Sequence, residues 1–353
     1  MDQPIGDLLP CRWQADVLAE IDGLTALDQA PAVAGRLRRF LLAVAGGGLS
    51  GYNMTRLISA CNDRLTIRVV DLTSRRHHLP DVVWCWLAMG SEGRNEQTLV
   101  SDQDNGLVFN AVDGREAEAL RALFLPFAQE ANQHLADCGF KLCSGQVMAG
   151  NPAWCLSFDE WREQFIDWVR RPEPAALLNA SIFFDLRPLA GQPELGERLR
   201  TVLLGLTSDT PSFLHLMAGN ALQATVPLNF RGEIVAEEGD LLDLKKFGSR
   251  IFVDVARIFA LASGARAVHT SGRLREAGSA AGLKAEGIAA AEAAFSHIQR
   301  LRLDRQSADA AAGVSDGHGL KLSALHEMDK AILREALKQA RRLQQRLKLN
   351  YVL

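Results

Sequence analysis

Two aspartates, Asp102 and Asp104, stand two residues apart and directly before a short apolar run. In a strand, this spacing places both carboxylates on one face. Neighbouring carboxylates repel each other unless a cation lies between them, and Mg²⁺ is a hard cation that prefers oxygen ligands. The pair therefore predicts a site for Mg²⁺, or for Mn²⁺.

A Gly-Ser turn precedes this pair, with Ser91 eleven residues before Asp102. The backbone N–H groups of such a turn and the serine hydroxyl suit phosphate oxygens, so Gly90 and Ser91 are candidates for binding a nucleotide. A metal site beside a phosphate-binding turn is the arrangement used for phosphoryl and nucleotidyl transfer. An ordinary tight turn is the alternative interpretation.

The string GSEGRNEQTLVSDQDNG, residues 90–106, resembles the signature of the polymerase-β nucleotidyltransferase superfamily, where a G-S turn precedes a D-x-D or D-x-E pair. Within it, the chain is similar to a bacterial nucleotidyltransferase family usually found behind cyclic-nucleotide-binding and CBS modules. That family is related to the uridylyltransferase of the PII signalling protein. Further matching strings, such as CGFKLCSGQVMAGNPAW and LDLKKFGSRIFVDVARIFAL, extend the resemblance over roughly residues 50–353.

The resemblance implies that the protein moves a nucleoside monophosphate from an NTP, such as ATP, to a hydroxyl. Asp102 and Asp104 would hold two Mg²⁺ ions, and Ser91 and Arg94 would hold the β and γ phosphates. An ion pair of Arg94 with Glu96 or an aspartate is the alternative for that arginine. By analogy with the PII uridylyltransferase, the acceptor would be a protein hydroxyl in signalling or regulation.

A third carboxylate, which activates the attacking hydroxyl, is usual in this superfamily. The candidate is Asp185, which follows the apolar residues 182–184 in the run 177–186 that we interpret as a strand. A buried carboxylate without a partner would be costly, and an ion pair with Arg187 is the equally favoured alternative.

Three further residues are candidates for nucleotide binding. Asn151 matches the family string, and a capping role in a turn is its alternative. Lys246 and Arg250 share one face of a helical stretch with Asp254 and Arg257, which would close over the triphosphate or form a solvated, salt-bridged face.

The elements around these residues indicate an α/β nucleotidyltransferase core with a small mixed sheet. Strands are predicted at 82–89, 106–109, 146–149 and 177–186, and helices at 115–138 and 159–170. Residues 1–75 are predicted as an N-terminal helical segment, 76–190 as the core, and 191–353 as a C-terminal all-α bundle that binds the substrate.

Composition excludes several classes of protein. The net charge of −3 gives no general attraction to nucleic acid, and no segment is apolar enough to span a membrane. The first residues lack the pattern of a secretory signal, which predicts a cytoplasmic protein. The six cysteines form no CxxC pair and are predicted to be thiols.

Two alternatives to a protein-modifying enzyme stay open. The protein would be a nucleotide-sensing regulatory partner that transfers nothing, or a nucleotidyltransferase that modifies a small molecule. A basic residue also recurs at every fourth position of the last helix, from Lys330 to Arg346. That stripe would be a solvated face or a surface for an acidic partner.

Overall fold

The structure is a computed structural model that describes residues 12–314 and 319–353. It divides into two compact units. Unit 1 contains residues 12–44, 56–168 and 178–203, and unit 2 contains residues 45–55, 169–177, 204–314 and 319–353. The two units interleave along the chain, so the three consecutive domain ranges drawn from the sequence stay a prediction.

Unit 1 is built on a four-stranded sheet. The strands are β1 (Trp84–Ala88), β2 (Asn105–Phe109), β3 (Cys155–Ser157) and β4 (Arg187–Gly191), in the order β3-β2-β1-β4. Strand β1 runs antiparallel to β2 and to β4, whereas β2 and β3 are parallel. A small mixed sheet with helices is the predicted α/β core, which is confirmed.

Seven α-helices of the described residues precede or connect these strands, and an eighth follows β4. They are α1 (Arg12–Asp22), α2 (Ala30–Ala45), α3 (Gly51–Ser74), α4 (Gly90–Gly93), α5 (Gly114–Asp137), α6 (Phe158–Arg170), α7 (Pro174–Phe183) and α8 (Pro193–Ser208). The helical character predicted for the N-terminal residues is confirmed in α1 to α3.

The two central strands are buried, which explains their continuous apolar sequence. Trp86 in β1 and Phe109 in β2 are both fully buried. A strand covered on both faces lacks the alternation of a half-exposed strand. Because Ala88 pairs with Asn105, the end of β1 meets the start of β2, and the residues that flank these ends become neighbours.

Two predicted strands are wrong. The run 177–186 belongs mainly to helix α7, and the strand follows it as β4. Ala176, Ala180 and Phe183 are buried at helical spacing, but the whole run is apolar, so periodicity could not separate a buried helix from a strand. Residues 146–149 form irregular turns, with Gln146 at φ 55°, although Val147 O still accepts a hydrogen bond from Asn105 N.

Unit 2 is mainly helical, as predicted for a C-terminal bundle. Its elements from residue 211 onward are α9 (Pro211–Ala221), β5 (Leu241–Asp243), α10 (Arg250–Ser263), α11 (Thr270–Ala277), α12 (Ala285–Ala311), β6 (Gly319–Lys321) and α13 (Glu327–Tyr351). Strands β5 and β6 form an antiparallel pair. A π-helical turn, Lys245–Ser249, precedes α10 and occupies part of the single helix predicted at 243–263.

The last helix is amphipathic, because Leu333, Leu337 and Leu343 are buried while the predicted basic stripe follows another side of the helix. Within the described ranges, no helix has the combined length and apolar character needed to cross a bilayer. The five described cysteines are free thiols, and Cys11 lies outside the described residues.

Candidate functional site

The Gly-Ser turn forms the short helix α4, which begins directly after β1. Gly90 has φ +55°, a left-handed conformation that side chains rarely adopt. A Cβ atom on Gly90 would lie 2.5 Å from Oδ2 of Asp104, so no larger residue fits beside that carboxylate. Met89 N also donates to Asp104 O at 2.8 Å, and the structure therefore brings the turn and Asp104 together.

Asp102 and Asp104 lie in an extended segment that leads into β2. Asp102 pairs with Lys141 in a parallel bridge, and Gln103 N donates to Lys141 O at 2.8 Å. The Gln103 side chain is buried and donates to the carbonyl of Phe140. Because side chains alternate in an extended chain, the exposed Asp102 and the half-buried Asp104 point away from Gln103, toward the same side.

A buried amide network fixes the start of β2. Asn105 Oδ1 accepts from Asn132 Nδ2 at 3.0 Å and from Ala149 N at 2.8 Å. Asn132 Nδ2 also donates to Gln103 Oε1 at 2.9 Å. The sequence analysis did not identify these amides, because nothing in the local pattern shows that Asn132 of α5 reaches β2.

Arg94 follows α4 and binds two buried carboxylates. Its Nη1 lies 2.5 Å from Asp185 Oδ2, and its Nε lies 2.8 Å from Glu96 Oε2. The Asp185 side chain is 0% exposed and the Glu96 side chain 1%, whereas Arg94 is 12% exposed. The predicted alternative of an ion pair between Arg94 and Glu96 is therefore present in the structure.

Asp185 lies against the turn, but it is held by a different arginine from the one expected. A Cβ atom on Gly93 would lie 1.9 Å from Asp185 O, so the backbones of α4 and Asp185 are in direct contact. Asp185 pairs with Arg94, and Arg187 pairs with Asp63 at 2.9 Å. Asp185 directly precedes β4 and pairs with Arg94 at the end of α4, whereas Arg187 in β4 pairs with Asp63 of α3 and also donates to Glu92 O at 3.1 Å.

Glu92 is a site residue that the sequence analysis missed. It is buried within the turn, and burial raises the pKa of its carboxyl to about 8, with the nearby charges of Asp63 and Asp104 adding to the increase and Arg187 opposing it. The pKa of Asp63 is also raised by burial, an effect that Arg187 partly offsets. The sequence could have identified Glu92, because it lies inside the GSEGR turn and a carboxylate is costly to bury without a role.

Cys143 is a second residue that was missed. Its thiol hydrogen-bonds the Asp104 carboxylate, and its pKa is raised by burial and by this acidic neighbour. Cys143 lies in the irregular segment after α5, far from Asp104 in sequence. No local pattern could connect the two residues.

The donor set fits a hard divalent cation. Among the described residues, no group of three or more His, Cys, Asp or Glu side chains is arranged to hold a metal. Mg²⁺, however, is usually bound by one or two carboxylates together with water and substrate phosphates. Asp102 and Asp104 supply those oxygens on an accessible edge, so they would hold Mg²⁺ or Mn²⁺ beside the turn.

The remaining candidates have structural partners. Asn151 Oδ1 accepts from Ala153 N at 3.1 Å and its amide donates to Gln146 O, so it caps the turn as its alternative interpretation stated. Its predicted contact with nucleotide stays a prediction. Ser91 is half-buried in α4, and its carbonyl accepts from Glu96 N at 2.9 Å.

Lys246 and Arg250 lie in unit 2, whereas the turn lies in unit 1. Lys246 is in the π-helical turn, with Nζ 4.6 Å from the ring centre of Phe247. Arg250 and Arg257 both pair with Asp254, at 3.3 Å and 2.8 Å, which confirms that these three residues share a face. Binding of a nucleotide by Lys246 and Arg250 stays a prediction.

A mixed sheet that carries a Gly-Ser turn after one strand and paired aspartates before its neighbour defines a nucleotidyltransferase-type core. Comparison with known families agrees with this class. Residues 35–175 match the family described as "putative nucleotidyltransferase DUF294", and residues 211–351 match the "putative nucleotidyltransferase substrate binding domain". The two matches cover most of the chain, which belongs to this nucleotidyltransferase family. No curated protein matches the chain.

Proposed function

We propose that this protein is a Mg²⁺-dependent nucleotidyltransferase that moves a nucleoside monophosphate from an NTP to a hydroxyl of a protein acceptor. The observation that supports it best is the contact of the Asp104 carboxylate with Gly90, because it joins a cation-binding group to a phosphate-binding turn. The family supports nucleotidyl transfer in general. The protein acceptor and a role in regulation rest on the resemblance to the PII uridylyltransferase.

In the proposed reaction, the acceptor oxygen bonds to the α-phosphorus, and the bond from that phosphorus to the bridging oxygen breaks. Pyrophosphate leaves with the electron pair, and the hydroxyl proton passes to a base. Asp102 and Asp104 would hold Mg²⁺ or Mn²⁺, which would supply a Lewis acid that lowers the pKa of the hydroxyl and neutralises charge on the phosphate. The Ser91 hydroxyl and the amides of α4 bind the β and γ phosphates.

Arg94 and Asp185 each have two candidate roles. The exposed part of Arg94 would contact a phosphate, while its bonds to Asp185 and Glu96 hold the turn in place. Asp185 would accept the proton of the acceptor hydroxyl, as first predicted, or would only position Arg94. Its complete burial favours the positioning role.

The same burial favours a second candidate function, a regulatory protein that senses a nucleotide without transferring it. A catalytic base must be able to reach the hydroxyl of the acceptor. Asp185 is closed to solvent and paired with Arg94, so it fits a protein that binds a nucleotide without transferring it. In that case, Asp102, Asp104 and the turn bind the NTP, and no nucleotide becomes attached to an acceptor.

Incubation of the purified protein with each α-labelled NTP, with and without lysate, separates these functions. We expect Mg²⁺-dependent label in a protein band, and none with the Asp102→Ala, Asp104→Ala variant. Label in a small product would instead identify a small-molecule nucleotidyltransferase. Tight NTP binding with no labelled product would identify the sensor and contradict the proposal.

A further inference from the structure

The basic stripe of α13 is not one uniform solvated face. It consists of a cationic residue at every fourth position, namely Lys330, Arg334, Lys338, Arg342 and Arg346. Near the start of the helix, Lys330 pairs with Glu327 at 2.7 Å and Lys338 pairs with Glu335 at 3.2 Å. The last two arginines have a different environment, because both line a cavity.

This cavity, the basic groove, lies between the start of α12 and the last turns of α13, within unit 2. Its volume is about 590 Å³. That volume lies within the range of roughly 300–1,000 Å³ that is typical of small-molecule sites. The groove is also contained in the region that matches the substrate-binding domain of the family.

The charges that line the basic groove are unbalanced. Lys284, Arg342 and Arg346 face it with only one acid, Glu286. The nearest carboxylate to Arg342 is Glu335 at 4.0 Å, the outer limit of an ion pair. In the part of the chain that the structure describes, neither Lys284 nor Arg346 forms an ion pair. This local positive surplus occurs in a chain whose net charge is −3.

The two arginines are placed to act together. They are four residues apart on one helix, which brings their side chains to the same face. Nη1 of Arg346 lies 3.0 Å from the position of a Cβ on Gly282, so that guanidinium rests on the backbone at the edge of the groove. Arg342, one turn earlier, is exposed and free to approach a ligand from the same side.

The uncharged part of the lining is mostly apolar, with Gln339 and Gln345 as its polar members. Ala291 and Leu343 are buried beneath the groove, and Leu349 at its end is 70% exposed. No atom lies within 4 Å of a Cβ position on Gly287, so the groove stays open beside it. A ligand for this site therefore needs an anionic group and an apolar part.

We propose that the basic groove binds a small organic phosphate, whose phosphate contacts Arg342, Arg346 and Lys284 and whose apolar part covers Leu283, Ala290 and Leu349. Guanidinium groups match phosphate in charge and in the geometry of paired hydrogen bonds. A phosphate dianion balances the surplus of two positive charges left by three cations and Glu286. Binding at this site can be measured whether or not the reaction proposed for unit 1 takes place.

The test uses the full chain and 1-naphthyl phosphate as a fluorescent probe, with 1-naphthol and inorganic phosphate as controls. We expect the phosphate ester to bind at least tenfold more tightly than either control, because only it has both groups. Displacement of the probe by AMP would assign a nucleotide as the source of the phosphate. Displacement by glycerol 3-phosphate alone would assign a non-nucleotide, and both results agree with the site.

Two variants locate the probe. Arg342→Gln with Arg346→Gln should weaken binding at least about tenfold, since two charge-assisted contacts are lost. Gly287→Leu should block the groove without changing any charge. The control, Lys330→Gln with Arg334→Gln, removes the same charge from the same helix outside the groove and should bind normally. Wild-type affinity in both groove variants, with their folds intact by thermal unfolding, would overturn the proposal, as would equal binding of 1-naphthol.

Discussion

Two regions of this protein differ in the sign of their excess charge and in how deeply the charged side chains are buried. In unit 1, the acidic turn site joins α4 to five carboxyl groups and two guanidinium groups, which are Asp63, Glu92, Glu96, Asp104, Asp185, Arg94 and Arg187. Most of these carboxyl groups are buried, and both arginines are already paired. In the basic groove of unit 2, the surplus is positive and faces solvent.

The difference indicates what each place would bind. Buried carboxyl groups in excess repel one another, and a divalent cation at Asp102 and Asp104 would relieve that repulsion. The cations of the basic groove stay hydrated in the free protein, so the lack of a close carboxylate costs little stability. They therefore remain available to bind an anion. The acidic turn site is therefore suited to a metal, and the basic groove to a phosphate.

The largest expected effect comes from removing Asp102 and Asp104, the two candidate metal ligands. Asp102→Ala with Asp104→Ala should lower transfer by at least about 10³-fold and abolish Mg²⁺-assisted NTP binding, because charge on the phosphates is no longer neutralised. Calorimetry with and without Mg²⁺ measures the binding. Asp81→Ala, an exposed aspartate before β1, is the control and should behave like wild type. Unchanged NTP binding in the double variant would contradict the site assignment.

Asp185→Asn tests whether the buried carboxylates of this site act in chemistry or only in positioning. As a catalytic base, Asp185 would contribute about 10²–10⁴ in rate, and its loss would spare NTP binding. Glu96→Gln is the matched control, because it removes the other carboxylate from the same guanidinium. If both variants lose activity equally and both lose roughly 3–5 kcal/mol in the free energy of unfolding, Asp185 only holds Arg94.

Glu92→Gln should change how stability depends on pH. The folded-state pKa of about 8 lies above the ordinary 4.5, so the folded protein binds this proton more tightly than the unfolded chain. That contribution is complete below about pH 4.5 and is lost as the pH rises through 8. Between pH 5 and pH 9, the wild type should therefore lose on the order of 3–5 kcal/mol of unfolding free energy that the variant keeps. Urea unfolding of both proteins without metal measures this difference.

The control for this titration is Glu118→Gln, which removes an exposed carboxylate in the same unit. It should leave the pH profile of unfolding as in wild type. If Glu92→Gln has that unchanged profile as well, the carboxyl of Glu92 is not held in its neutral form.

The smallest effect is expected for the phosphate-binding turn itself. Ser91→Ala should weaken NTP binding by about 1 kcal/mol, the usual contribution of one hydrogen bond. Titration of NTP and NMP with wild type and variant measures it. If the wild type binds NMP as tightly as NTP, the turn does not contact the β and γ phosphates. The assignment of NTP binding to the turn, and of a different ligand to the basic groove, would then fail.

Several elements could be predicted because their signals are local. The helices α1 to α3, the amphipathic α13 and the strands β1 and β2 each show their period or their apolar run within the segment itself. The run 177–186 was wrongly predicted as a strand, since an apolar segment of that length suits a buried helix as well as a strand. Only packing decided that α7 is a helix and that β4 begins at Arg187.

For the site, the sequence by itself determined which groups meet through one strand pairing. The motif GSEGR and the aspartates are joined by a single connection between β1 and β2, so their proximity follows from two adjacent strands. Tertiary structure alone decided the partners that come from distant segments. Arg94 pairs with Asp185, Arg187 with Asp63, and Cys143 with Asp104, because ion pairs and hydrogen bonds form between whichever groups the packed backbone brings within about 3 Å.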